Sequence, residues 1–178
     1  MYAILDIEAT GGKVGEESII EIAVYKYDGK EIVDQFISLV NPEKKIDQYV
    51  QRLTHISDKM VLTAPKFHEI AKRIVEITDD CILVGHNVMF DYRMLKQEFD
   101  RLGYNYEKEW IDTFEYSEKL IPGLPSYSLG KLCESLGIVV TDRHRASGDA
   151  RATISLFKLL LDKDSEKIIT KKTGLKQP

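Results

Sequence analysis

The stretch YAILDIEAT, residues 2–10, alternates between two kinds of side chain. A period of two residues is typical of a β-strand, because successive side chains point to opposite faces. One face carries Ala3, Leu5, Ile7 and Ala9, and the other carries Tyr2, Ile4, Asp6 and Glu8. The glycines after Thr10 end the pattern. We therefore predict an N-terminal strand that presents two carboxylates on one side.

Two further segments are rich in β-branched and aromatic residues. IIEIAVYKY, residues 19–27, and EIVDQFISLV, residues 31–40, are joined around Asp28 and Gly29. An Asp-Gly pair between such segments favours a tight hairpin turn. We expect these segments to extend the first strand into an antiparallel 1-2-3 meander.

The rest of the chain alternates between helical patterns and short apolar segments. Helical spacing covers roughly residues 65–75, 88–102, 128–137 and 146–161, and the short strand candidates are CILVGH, residues 81–86, and EWIDTF, residues 109–114. Strands first and then helices alternating with strands indicate an α/β fold. We predict a mixed five-stranded sheet with helices on both faces.

Composition limits the classes of protein to which the chain can belong. It has 178 residues, 43% of them hydrophobic, and a formal net charge of −4. The apolar runs are too short for a membrane span and the N-terminus has no basic leader, so we expect a cytoplasmic protein without a membrane partner. An acidic chain is unsuited to coating long nucleic acids, but it can bind a strand end through cations.

The apolar period is lost after Asp162, where lysines become frequent. We predict a domain over residues 1–162 and a Lys-rich tail or linker over residues 163–178. A fused downstream domain is compatible with this pattern.

Carboxylates occur where apolar residues are expected. Asp91 falls on the apolar stripe of residues 88–102, and Asp149 falls on that of HRASGDARATISLF, residues 144–157. Burial of an ionised carboxylate costs several kcal/mol or more unless it is paired or bound to metal. Singly, each acid is also explained by a structural ion pair or by a helix-start dipole contact.

Taken together, the four acids predict a metal site. The Cα atoms of Asp6 and Glu8 lie roughly 6.6 Å apart and their side chains share one strand face, so the two carboxylates can jointly bind a metal ion. Oxygen ligands favour Mg²⁺ or Mn²⁺, and two such cations about 3.5 to 4 Å apart form a clamp for phosphodiester hydrolysis. His144, in the loop before the last helix, is a candidate general base, although an exposed loop histidine is the alternative.

These residues carry a resemblance to a known family. DIEATGG, GHNVMFD and HRASGDA are similar to the three motifs of the DEDDh exonucleases, most closely to the proofreading exonucleases of bacterial DNA polymerase III, epsilon-subunit type. The resemblance covers residues 1–162. It implies that the metal-site acids are Asp6, Glu8, Asp91 and Asp149 and that His144 is the general base. It also implies substrate contacts from Ala9, Thr10, Gly11, His86, Asn87 and Phe90, and Ala9 departs from the Thr of many relatives.

The resemblance implies a ribonuclease-H-like fold and a 3′→5′ exonuclease that uses two divalent cations, Mg²⁺ or Mn²⁺. The expected substrate is the 3′ end of single-stranded or frayed DNA, the products are nucleoside 5′-monophosphates, and the role is replication proofreading or repair, with a DNA polymerase subunit as a partner. An RNA exonuclease or oligoribonuclease with the same site is the alternative, and a catalytically idle docking domain is another. Arg143, Arg145, Arg151 and Lys131 are either phosphate contacts or solvated surface residues.

Overall fold

The protein is described by a computed structural model over residues 1–169. Its sheet begins with the predicted antiparallel meander of β1 (Tyr2–Ala9), β2 (Ile19–Tyr27) and β3 (Ile32–Leu39). Two short parallel strands follow, β4 (Ile82–Gly85) beside β1 and β5 (Trp110–Asp112) beside β4. The strand order is β3-β2-β1-β4-β5, which places β1 at the centre. The predicted mixed five-stranded sheet is confirmed.

The helices cover both faces of the sheet, as predicted. Within residues 1–169 they are α1 (Gln48–Thr54), α2 (Asp58–Val61), α3 (Phe67–Ile77), α4 (Met89–Arg101), α5 (Thr113–Leu120), α6 (Leu129–Ser135) and α7 (Ala146–Lys163). Leu5 and Ile7 of β1 pack with α3 and α4, whereas Ile4 packs with α5, α6 and α7. The two apolar cores therefore meet the two faces of one strand, because its side chains alternate.

Two local features differ from the sequence-based expectation. The hairpin loop between β2 and β3 spans residues 28–31, because the Asp28 carboxylate accepts hydrogen bonds from the amides of Lys30 and Glu31. The segment EWIDTF is a strand only as far as Asp112, whose side chain caps α5 by accepting from the amide of Phe114. Asp112 followed three residues later by Glu115 is a helix-start signal that would have predicted α5.

The chain stays packed beyond the predicted domain boundary at residue 162. α7 ends at Lys163, and the carboxylate of Asp164 accepts from the amides of Ile168 and Ile169. Ile169 is fully buried in the core beneath α7. The remainder of the predicted Lys-rich tail, residues 170–178, lies outside the described residues.

None of the helices found in residues 1–169 combines the length and the apolar character needed to cross a membrane.

Candidate active site

The central strand carries Asp6 and Glu8 on the sheet face that α7 covers. β4 pairs with the first half of β1, from Tyr2 to Ile4, and it ends before the level of the two acids. The second half of β1 is met instead by the first turn of α4, which carries Asp91. The end of β4 therefore makes room for a helix start beside the acidic part of β1.

Asp149 completes a group of three carboxylates. It lies in the first turn of α7, and it is only 7% exposed. Oxygen atoms of Asp6, Glu8 and Asp149 all lie within 4.8 Å of one another. Residues more than 140 positions apart in the chain thus form one cluster, since α7 packs across β1.

The electrostatics of the cluster show an excess of negative charge. Burial raises the pKa of Asp6 well above its ordinary value, and the neighbouring Asp91, Glu8 and Asp149 raise it further, while Arg143 opposes the shift. Burial, followed by repulsion from Asp149, raises the pKa of Glu8 to about 8. Both shifts penalise the ionised forms, so an added positive charge would relieve the cluster.

Asp91 lies beside this group of three. It is 4% exposed at the start of α4, and burial raises its pKa well above the ordinary value, with a hydrogen bond from the backbone of Ile7 opposing the shift. Asp91 is also the largest charged contributor to the raised pKa of Asp6. Asp91 therefore lies beside the group of three on the side of α4, and its role as a metal-site residue stays a prediction.

The donor set fits a divalent cation. The grouped ligand atoms are carboxylate oxygens, which hard cations such as Mg²⁺ and Mn²⁺ prefer, and the two cysteines, Cys81 and Cys133, are buried as free thiols outside the group. The raised pKa values of Asp6 and Glu8 show that a bound positive charge would favour the ionised forms of both carboxyl groups. The residues present thus suit a divalent metal site.

His144 lies in the loop before α7, where it was predicted. Its backbone is left-handed, with φ of +60°, and its amide donates to Oδ2 of Asp149 at 3.2 Å. The imidazole is half-buried. Burial raises the pKa of Asp149, and the neighbouring Arg143 and the hydrogen bond from the backbone of His144 oppose that shift. The structure therefore places His144 beside the carboxylate cluster, and its role as a general base remains a prediction.

Glu21 is a second buried carboxylate that the sequence reasoning missed. It lies on β2 directly opposite Glu8, and it is 2% exposed. Its carboxylate accepts from Nε and Nη2 of Arg145 at 2.6 to 3.1 Å and from the amide of Ala146 at 2.8 Å. The signal was a lone glutamate inside the apolar strand IIEIAVYKY. The guanidinium of Arg145, a candidate phosphate contact, is thus bound to Glu21.

Three of the predicted substrate-contacting residues lie where β1 ends: Ala9 is its last residue, and Thr10 and Gly11 begin the loop that follows. Thr10 is buried, and its hydroxyl accepts from the amide of Ser18 and donates to the carbonyl of Gly11. Gly11 has φ of +74°, and a Cβ atom there would lie 3.0 Å from Cγ2 of Val50. Glycine is therefore required for the close approach of this loop to α1.

The other predicted substrate contacts follow β4. Both ring nitrogens of His86 bind protein groups, Nδ1 the hydroxyl of Thr113 at 3.0 Å and Nε2 the carbonyl of Tyr127 at 2.8 Å. Asn87 and Phe90 are exposed, and the guanidinium of Arg93 lies over the Phe90 ring. Asn87 and Phe90 are thus accessible to a ligand, whereas His86 ties the start of α4 to neighbouring elements.

A mixed sheet with a central acidic strand, flanked by helices that add further carboxylates and by a loop that carries a histidine, is typical of the class of ribonuclease-H-like exonucleases. Residues 3–157 match the exonuclease family, RNase_T. The chain belongs to this family.

Two curated relatives are similar to this chain in sequence. The chain is 36% identical over 163 residues to the 3′-5′ exonuclease DinG of Staphylococcus saprophyticus subsp. saprophyticus, covering 91% of this chain and 18% of the relative. It is 36% identical over 165 residues to the PolC-type DNA polymerase III of Caldanaerobacter subterraneus subsp. tengcongensis, covering 93% of this chain and 12% of the relative. The chain therefore spans less than a fifth of the length of either relative.

Solved structures agree on the fold. Exonuclease X in complex with 5′ overhanging duplex DNA superposes with a TM-score of 0.73 at 26% identity, over 92% of this chain and 93% of that one. Escherichia coli exonuclease I with a dT13 oligonucleotide gives a TM-score of 0.83 at 18% identity, over 95% of this chain and 42% of that one. The nuclease domain of 3′hExo, a DEDDh family member bound to rAMP, gives 0.80 at 19% identity, over 93% of both chains.

Proposed function

We propose that this chain is a metal-dependent 3′→5′ exonuclease domain that hydrolyses DNA from a single-stranded or frayed 3′ end and releases nucleoside 5′-monophosphates. The observation that carries the proposal is the convergence of Asp6, Glu8 and Asp149 within 4.8 Å, with Asp91 and His144 beside them. The name of the DinG relative and the DNA present in the exonuclease X complex support this activity and substrate. The name of the PolC-type relative, a DNA polymerase III, supports a polymerase subunit or a fused domain as partner, and we propose proofreading or repair as the role.

The carboxylates would hold two divalent cations, Mg²⁺ or Mn²⁺. Asp6, Glu8 and Asp149 are the proposed ligands, and Asp91 supports the second cation from the side of α4. When bound, such cations neutralise the charge that develops on the attacking and leaving oxygens.

The residues of the chain supply the remaining chemistry. His144 accepts a proton from the attacking water, the new bond forms at phosphorus, and the bond to the 3′ oxygen of the preceding nucleotide breaks. The backbone amide of His144 donates to Asp149, which holds the histidine next to a proposed metal ligand. The backbone around Ala9, Thr10 and Gly11 and the exposed groups Asn87 and Phe90 position the terminal nucleotide.

The test uses single-stranded DNA and a matched RNA, both labelled at the 5′ end, together with DNA duplexes that have a paired or a frayed 3′ end. Incubation with Mg²⁺ or Mn²⁺ should give a ladder that shortens from the 3′ end, and EDTA should abolish it. Asp149→Asn should lower the rate by at least about 10- to 100-fold, the loss typical of changes to groups that only support a metal ligand, because Asp149 is itself a proposed ligand. Asp162→Asn, an exposed acid at the far end of the same helix, should leave the ladder unchanged.

The products also decide between the alternatives. Faster turnover of RNA than of DNA would replace the proposed substrate by RNA. No cleavage of either polymer by folded protein in Mg²⁺ or Mn²⁺ would reject the exonuclease and favour an idle docking domain.

A further inference from the structure

Two arginines of the segment before α7 have different partners. Arg145 is bound by Glu21, a buried carboxylate outside the group of three. Arg143 donates from Nη1 to Oδ1 of Asp149 at 2.9 Å, and its side chain is 35% exposed. The partner of Arg143 is therefore a residue that the proposed function assigns to a divalent cation.

The surroundings of Arg143 direct its guanidinium into the site. The backbone is left-handed on both sides of it, with φ of +51° at Asp142 and +60° at His144. The guanidinium lies against the backbone of α6, where a Cβ atom at Gly130 would come within 3.3 Å of its Cζ and Nη2 atoms. The turn and the glycine together leave a slot in which this planar group reaches Asp149.

The positive charge of Arg143 acts on all three carboxylates of the group. It opposes the raised pKa values of Asp6, Glu8 and Asp149. A divalent cation among these carboxylates would carry twice the charge and bind several oxygens at once. It would therefore displace the guanidinium from Asp149 and repel it.

We propose that Arg143 is an exchangeable counter-ion of the metal site, which neutralises Asp149 in the metal-free protein and binds a phosphate of the DNA strand when cations occupy the carboxylates. This inference rests on the proposed function, because it requires both a cation and a phosphate-bearing ligand. The planar donors of an arginine match the oxygens of a phosphate. A chain of net charge −4 also needs local positive charge beside a nucleic acid.

The first measurement is Mn²⁺ binding by calorimetry in the absence of DNA. Arg143→Gln should bind Mn²⁺ about fivefold more tightly than the wild type, because the partly exposed guanidinium no longer competes for Asp149. Arg143→Lys, which keeps the charge, should bind Mn²⁺ as the wild type does. Arg73→Gln, which removes a charge from the pair with Asp34 on the edge of the sheet, is the matched control and should leave Mn²⁺ affinity unchanged.

The second measurement is the binding of thymidine 5′-monophosphate in saturating Mn²⁺, since this nucleotide carries a phosphate and has no phosphodiester to hydrolyse. Arg143→Gln should bind it about fivefold more weakly than the wild type. Unchanged Mn²⁺ affinity in Arg143→Gln would overturn the counter-ion, and unchanged nucleotide affinity would overturn the phosphate contact. Failure of the wild type to bind Mn²⁺ would instead reject the metal site of the proposed function.

Discussion

Gly148, in the first turn of α7, affects the site through the turn that precedes the helix. Glycine in a helix costs up to about 1 kcal/mol relative to alanine, so propensity alone predicts that Gly148→Ala stabilises the protein. In the structure, a Cβ atom at Gly148 would lie 2.3 Å from the carbonyl oxygens of Thr141 and Asp142. These carbonyls belong to the turn that carries Arg143 and His144. The absence of a side chain at Gly148 therefore allows the turn to close on α7.

We accordingly expect Gly148→Ala to lower the free energy of unfolding by about 1 to 3 kcal/mol, the usual range for a forced backbone shift, and to slow hydrolysis. Urea denaturation and nuclease assays at one temperature measure both effects. Ser155→Ala, an exposed change on the same helix, should stay within about 0.5 kcal/mol of the wild type. A Gly148→Ala protein as stable as the wild type would show that the turn does not need this contact.

At the scale of elements, β2 and α7 are joined by the ion pair of Glu21 and Arg145, which are 124 positions apart. Glu21 also accepts the amide of Ala146, so a single buried carboxylate satisfies both the arginine and the first turn of α7. The same turn carries Asp149. The hydrogen bonds to Glu21 therefore fix the position of Asp149 relative to Glu8. The pair therefore positions the site without belonging to the group of three.

Glu21→Gln should destabilise the protein by roughly 2 to 3 kcal/mol, less than for a fully buried pair because the side chain of Arg145 is 33% exposed. Asp34→Asn is the matched control, because the pair of Asp34 and Arg73 has the same chemistry but both side chains are 38% exposed. It should cost under about 1 kcal/mol in the same denaturation experiment. Equal losses in the two variants would contradict the positioning role of Glu21.

A second contact between elements holds the segment between β1 and β2 on α4. The carbonyl of Glu17 accepts from Gln97 at 2.6 Å and from Arg101 at 2.9 Å, and the Glu17 carboxylate binds Arg93. Glu98 accepts the amide of Ile19 where β2 begins. The helix that supplies Asp91 thus also orders the loop that leads away from the proposed nucleotide contacts.

Removal of these contacts should affect substrate binding more than the rate of the chemical step, because a less ordered loop would have to become ordered when DNA binds. Arg101→Ala should raise KM for single-stranded DNA about fivefold with a smaller change in kcat. Lys96→Ala, which removes a cation from the same helix at its pair with Glu107, serves as the control and should leave KM unchanged. A fall in kcat alone would contradict this explanation.

The elements themselves were predicted to very different degrees. The meander, α3, α4 and α7 were predicted, because their hydrophobic patterns continue over several helical turns or over several alternations of a strand. The sequence reasoning missed α5 because its eight residues follow directly after a three-residue strand, so the two patterns merge. Contacts with α7 help to stabilise this short helix. Its own hydrophobic period is too short to predict it.

For the whole molecule, the acidic cluster couples folding to pH and to metal. Burial and repulsion raise the pKa of Glu8 from about 4.5 when unfolded to about 8 in the folded protein. Between these values the folded state binds more protons than the unfolded state, so the free energy of unfolding falls as pH rises and levels off above about pH 8. Asp6 contributes in the same direction.

We therefore expect the Tm in EDTA to fall as pH rises from 5 to 8. Saturating Mn²⁺ should raise the Tm, and the increase should be larger at pH 8, where the carboxylates no longer have to lose protons. Differential scanning fluorimetry at several pH values measures both trends. Glu8→Gln should flatten the pH dependence in EDTA and reduce the shift with Mn²⁺, and a wild-type Tm that rises with pH in EDTA would contradict the assigned shifts.

By itself, the sequence determined the alternation of YAILDIEAT, the helical stripes that include Asp91 and Asp149, and hence the α/β class and the identity of the acids. These properties are local, since side-chain direction follows from the period of a strand or helix. Tertiary structure alone decided that Arg143 pairs with Asp149 while Arg145 pairs with Glu21, and that Gly148 faces two carbonyl oxygens. The contacts of Arg143 and Gly148 depend on how the irregular turn of residues 141–145 folds back on α7, and the pair of Arg145 and Glu21 depends on the packing of that turn against β2. Neither a strand period nor a helix period specifies the path of such a turn.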